Sequence, residues 1–223
     1  MKAKYWILAA SVAASSAPTT AQQSIAQPGT VIHRQANAHF PERVGDFRRV
    51  EATRYDKDGN DISATYHLDR TDGQLRLTVY VYPAPSIDSG SATRAGDAQR
   101  RRYCDREFGN VRSTITGAYL EVHRVENGEA PAIAGVDPRL SRRVVYEIAG
   151  KYGDEPQGLR SEVDLYCFVG GRWLVKYRAT SNADFDAAPA IEQFIRHGPW
   201  PDRAAAVDPR DVTMRSVESA PAP

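Results

Sequence analysis

The chain has 223 residues, with 29 Lys+Arg against 28 Asp+Glu. So even a balance provides no global field to gather nucleic acid or an anionic membrane, which excludes nucleic-acid binding as a function class. Two lysines and no acid lie in the first 21 residues, so the rest of the chain carries one acid in excess.

Those first 21 residues read as a secretory signal peptide. Lys2 and Lys4 give a positive start, Trp6–Ala14 an apolar middle, and Thr19-Thr20-Ala21 a small-residue cleavage site. The apolar run is about half of the ~20 residues that span a bilayer. The expectation is cleavage near Ala21, a periplasmic or secreted protein, and no transmembrane segment in the mature chain. Residues 22–39 are polar and aperiodic and read as a flexible leader. Residues 40–199 form one domain, and residues 200–223, rich in Ala, Pro, Asp and Arg, a flexible tail.

Within the domain, strand signals dominate. Val50–Tyr55 pairs with the alternating run Ile62, Ala64, Tyr66, Leu68 across Lys57-Asp58-Gly59-Asn60, where Gly59 permits a positive φ. A third strand sets Leu75, Leu77, Val79 and Val81 on one face and Arg76, Thr78, Tyr80 and Tyr82 on the other, and Pro83 ends it. A helix over residues 91–110 follows, with Ala98, Cys104, Phe108 and Val111 as its apolar stripe and Gly109-Asn110 as its stop. Strands resume at 118–123 and 140–149. The clearest hairpin joins 161–168 to 172–180 around Gly170-Gly171, with Phe168 opposite Trp173, Tyr166 opposite Val175, Asp164 opposite Tyr177, and Cys167 opposite Leu174. A second helix spans about 186–197, with Pro189 in its first turn and Gly198-Pro199 as its stop.

Hairpin-length connections and missing strand–helix–strand alternation predict an α+β fold. The expected architecture is an antiparallel sheet of six to seven strands, a meander plus a C-terminal hairpin, with two helices packed on one face. An even cysteine count in an exported chain suggests a Cys104–Cys167 bridge, formed if the aliphatic sheet face meets the first helix. Two separate buried thiols are the alternative. Neither cysteine has a second Cys or a His at ligand spacing, so no metal and no cofactor are expected.

Three segments carry a resemblance. Phe40-Pro41-Glu42-Arg43-Val44-Gly45-Asp46-Phe47-Arg48-Arg49, Tyr80-Val81-Tyr82-Pro83 and Gly171-Arg172-Trp173-Leu174-Val175-Lys176-Tyr177-Arg178 resemble an uncharacterised family of small exported bacterial proteins. The order of elements is similar to PsbP-like domains. The resemblance implies an exported single domain and brings no catalytic residues with it.

Candidate sites are few. Asp56, Asp58, Asn60 and Asp61 have the wrong spacing for a calcium loop and suit a solvated turn. Glu121 and His123 would share a strand face as an acid/base pair, but no nucleophile stands beside them in the sequence. Arg94, Arg100, Arg101, Arg102, Arg106 and Arg112 make the first helix locally basic, with Arg101 spaced to pair with Asp105. The strongest candidate is an aromatic sheet face of Tyr80, Tyr82, Tyr166, Phe168, Trp173 and Tyr177, left uncovered if the helices take the aliphatic face. Such a face suits an envelope protein or a small amphipathic ligand. The leading expectation is a non-catalytic binding or accessory domain. The alternatives are an enzyme using Glu121 and His123, or a purely structural envelope component.

Overall fold

The computed structural model describes residues 22–26, 28–71, 73–87, 94–119, 121–152 and 155–202. The expected signal-peptide segment, 1–21, and most of the expected tail, 203–223, lie outside them. Four short strands come first: β1 (Gln23–Ser24), β2 (Val31–His33), β3 (Ala38–Phe40) and β4 (Arg43–Val44). The meander is β5 (Phe47–Arg54), β6 (Ile62–Arg70) and β7 (Gly73–Pro83), followed by α1 (Arg94–Ala118). Then come β8 (Val122–Gly128), β9 (Ser141–Tyr152), β10 (Glu155–Val169), β11 (Trp173–Asn182) and α2 (Ala188–His197). One antiparallel sheet runs β1-β5-β6-β7-β11-β10-β9-β8, with β4 also on β5, and β2–β3 forms a separate hairpin.

The fold is α+β with an antiparallel sheet, but it has more strands than the six to seven expected. The additions come from the stretch expected to be a flexible leader. Val31, Ala36, Ala38 and Phe40 are buried, and so is His33. The His33 Nδ1 accepts from the Ala36 amide at 3.1 Å, and Nε2 lies 3.0 Å from the Asn60 carbonyl. Strands of two or three residues are too short to show alternation, which is why the segment reads as aperiodic. At the other end the Asp202 amide donates to the Ala36 carbonyl, within the stretch expected to be a flexible tail.

The helices take opposite faces of the sheet rather than one. Ile191, Phe194 and Ile195 of α2 pack with Tyr66, Leu77, Val79, Tyr166, Val175 and Tyr177. Cys104, Phe108, Val111 and Ile115 of α1 pack with Val144, Val163, Leu165 and Leu174. Since 165/166 and 174/175 are neighbours on one strand, these clusters lie on opposite sides. The apolar stripe at 104, 108, 111 and 115 also explains why α1 runs past Gly109-Asn110. Tertiary burial along one helix face outweighs a local stop.

Cys104 and Cys167 are bridged, with Sγ–Sγ 2.06 Å and Cα–Cα 5.9 Å. The bond ties α1 to the sheet centre and fits a protein that folds in an oxidising compartment. No helix among the described residues is long and apolar enough to cross a membrane.

One hairpin detail differs. Tyr166 does face Val175 and Asp164 does face Tyr177, but Val169, not Phe168, faces Trp173. A bulge after Tyr166 inserts one residue, and Phe168 adopts φ +58°. That turns Phe168 to the α1 side, 5.6 Å from the Tyr103 ring.

A polar cluster lies inside the sheet at β8–β10. Arg143 Nη2 is 3.1 Å from Glu162 Oε2, and its Nε is 3.4 Å from Glu126 Oε1. Asp164 is 1% exposed. Burial, then the charge of Glu162, drives its pKa well above the usual carboxylate range.

Two measurements test these ties. The bridge closes a 63-residue separation, worth about 4 kcal/mol in the chain-entropy account, or about 8–16 °C for a domain of this size. Reduction, or Cys104→Ala with Cys167→Ala, lowers the melting temperature by that order; equal temperatures refute the tie. An acid with a raised folded pKa favours folding below its unfolded pKa and loses that advantage as pH rises toward the folded value. Asp164→Asn, which mimics the protonated acid, therefore flattens the pH dependence and gives its largest relative gain above neutrality. A gain confined to acid pH contradicts a protonated Asp164.

Candidate functional site

Three cross-strand rows define the site. Ser63 of β6 faces Tyr80 of β7, which faces Lys176 of β11; Thr65, Thr78 and Arg178 form the next row, and His67, Arg76 and Thr180 the third. Side chains alternate along a strand, so the intervening positions point the other way. There the rows read Ile62–Val81–Val175, Ala64–Val79–Tyr177 and Tyr66–Leu77–Ala179, all buried in the α2-side core. The same three strands are therefore apolar on one side and polar on the other. The polar half lies beside α1, on the side where β9 and β10 carry that helix.

At its centre the Lys176 Nζ lies 4.1 Å from the Tyr80 ring centroid and 5.7 Å from that of Tyr82. Cations over tyrosine faces are attracted by the ring quadrupole, typically by about 0.5–2 kcal/mol. From α1, Glu107 Oε1 accepts from the Tyr82 hydroxyl at 3.0 Å. Thr65 and Thr78 join their hydroxyls at 3.0 Å, and Tyr55 lies 3.2 Å from the Ser63 hydroxyl. Arg178 Nη2 donates to the Tyr119 hydroxyl at the end of α1, at 3.2 Å.

Electrostatics set this half apart. Burial lowers the pKa of Lys176; Glu107 and Asp61 oppose the shift and Arg178 adds to it. Asp61, just before β6, is raised to about 6 by burial and then by Asp56, while Lys176 pulls it down. Tyr82 is raised by burial and by Glu107. An amine that is partly withdrawn from water and flanked by rings and acids is a polar anchor at the centre of these rows.

No known family, curated protein or solved structure matches the chain. Its chemistry follows from its own atoms.

The six expected aromatics do not form one face. Tyr80 and Tyr82 stand half-buried on the polar half. Tyr166 and Tyr177 are core residues, with Trp200 rings at 4.9 and 5.5 Å and hydroxyls donating to the carbonyls of Pro131 and Pro199. Trp173 is buried against His33 at 4.8 Å, and Phe168 is diverted by the bulge. Alternation does place Tyr166 and Tyr177 on one face, but α2 and the leader cover it. Lys176, Arg178 and Glu107 complete the site and were not singled out in the sequence. The signal was available: Lys176 interrupts the apolar run Trp173–Tyr177, in a chain with five Lys and 24 Arg.

The remaining candidates separate. Glu121 precedes β8 and His123 lies in it; both are exposed on the outermost strand, with Glu147 facing His123. Asp56 serves its turn, its Oδ1 accepting from the Asn60 and Asp61 amides at 2.8 and 3.2 Å. Asp105 pairs with Arg142 of β9 at 2.6 Å rather than with Arg101. A concavity of about 450 Å³ is lined by Ile25, Ala26, Pro28 and residues of β4 and β5. Arg49 there donates to the carbonyls of Phe40 and Gly29, fastening the leader to the sheet.

Groups held for binding commonly do not serve stability. Lys176→Met, which keeps the stem and removes the buried amine, leaves the melting temperature unchanged or higher. A fall of more than about 5 °C, roughly 2 kcal/mol for a domain of this size, assigns the lysine to the scaffold instead.

Proposed function

We propose that the protein is an exported, non-catalytic binding domain that takes a small amphipathic ligand on the polar half of its sheet. The observation that carries this is the Tyr80–Lys176–Tyr82 stack, set on strands whose opposite side is a dry core. Rings with polar tips around the Lys176 cation suit a ligand that has both an apolar body and a polar head. Export is supported by the composition of residues 1–21 and by the Cys104–Cys167 bridge. β1 begins at Gln23, two residues beyond the expected cleavage point at Ala21.

A ligand that binds only the folded state stabilises it by about 2.7 kcal/mol at one hundred times its Kd, or about 5–10 °C for a domain of this size. Small-molecule fractions from an envelope extract, screened by thermal shift, contain at least one that raises the wild-type melting temperature by that order. Tyr80→Ala abolishes the shift. If no fraction shifts the wild type, or if both proteins shift equally, the proposed surface is rejected.

A further inference from the structure

The donors on the polar half are unequally engaged. Thr65 and Thr78 satisfy each other, and Tyr82 is held by Glu107. Lys176 makes ring contacts, but its Nζ has no hydrogen-bond partner among the described residues. Arg178 uses Nη2 on Tyr119, while its buried Nε has no partner. The two cations are two residues apart on one strand, so they stand on the same face roughly 7 Å apart. Arg178 opposes the charge of Lys176, and side-by-side cations with idle donors are stabilised by an anion placed between them.

The surrounding charges select the kind of anion. On this half Arg48, Arg76, Lys176 and Arg178 stand against Glu51, Asp61, Asp69 and Glu107, an even balance. A monoanion adds a single charge to that balance. A phosphate dianion adds two and is repelled more strongly by Asp61 and Glu107. Tyr80 and Tyr82 flank the position and supply apolar surface for a carbon skeleton.

Resting on the binding role proposed above, we infer that Lys176 Nζ and Arg178 Nε form the seat for the carboxylate of a small organic acid. The acid's carbon body lies along Tyr82 and the open side of the tyrosine pair. A guanidinium and an ammonium together hold a carboxylate more selectively than either does alone, because one supplies a fixed direction and the other an adaptable one.

Three probes read by isothermal titration and by amide chemical shifts test this: 3-phenylpropionate, 3-phenylpropanol and inorganic phosphate. The acid binds the wild type and perturbs β7 and β11. The alcohol, with the same body and no charge, binds at least tenfold more weakly, as does phosphate. Lys176→Met and Arg178→Gln each weaken the acid at least tenfold. If Lys176→Met does not fold, Arg178→Gln and the acid-to-alcohol ratio on the wild type still decide the outcome. Equal binding of acid and alcohol, equal binding of phosphate, or acid binding untouched by either variant overturns the seat. An envelope fraction that shifts the wild type and not Tyr80→Ala, yet is indifferent to Lys176→Met, overturns the seat and leaves the binding role standing.

Discussion

The register between β7 and β11 is the constraint on which the rest of the structure depends. It aligns Val79 with Tyr177 and Val81 with Val175 on one side, and Tyr80 with Lys176 on the other. A slip of one residue would expose the first set and bury the second, so the dry core and the polar half are fixed together. The cost of error is asymmetric. Burying Lys176 and Arg178 under α2 would strand two charges in an apolar interior, several kcal/mol each by the usual desolvation arguments. The α2-side core in this way enforces the site on the opposite surface without touching it.

Around that register the protein closes its sheet in two different manners. On one side α2, the β2–β3 hairpin and Trp200 cover the centre, and the tyrosine hydroxyls beneath them each reach a backbone carbonyl: Tyr66 to Pro41, Tyr166 to Pro131, Tyr177 to Pro199. Buried tyrosines of this kind join core to loop, since the ring is apolar and the tip demands an acceptor. On the other side α1 lies over β9 and β10, held by the disulfide and by Asp105 with Arg142, and reaches Tyr82 of β7 only through Glu107. The half it leaves is the polar one.

The bulge before Phe168 links these arrangements. One inserted residue lets Cys167 and Phe168 both serve the α1 side, while Val169 and Trp173 serve the other. A non-glycine residue at φ +58° costs about 1–2 kcal/mol. The contacts of Phe168 with Tyr103 and the guanidinium of Arg100 offset that locally. The buried Arg143–Glu162–Asp164 group is a second local cost carried by the sheet, with burial and then the charge of Glu162 pushing the Asp164 carboxyl well above the usual carboxylate range.

Alternating residues and local stops were enough to place β5, β6 and β7, the β10–β11 hairpin and the second helix between Pro189 and Gly198, whereas the Cys104–Cys167 bridge followed only if the first helix met the aliphatic sheet face. The strands and the helix each rest on near-neighbour chemistry: a period of two, a turn glycine, a stop signal. Tertiary contact alone decided which side each helix takes, that 22–39 is anchored, that α1 outruns Gly109, and that Phe168 changes sides. The physical reason is that alternation defines two faces of a strand without saying what covers either one. Tyr80 and Tyr177 look alike in the chain; only the packing of α2 makes one core and the other surface.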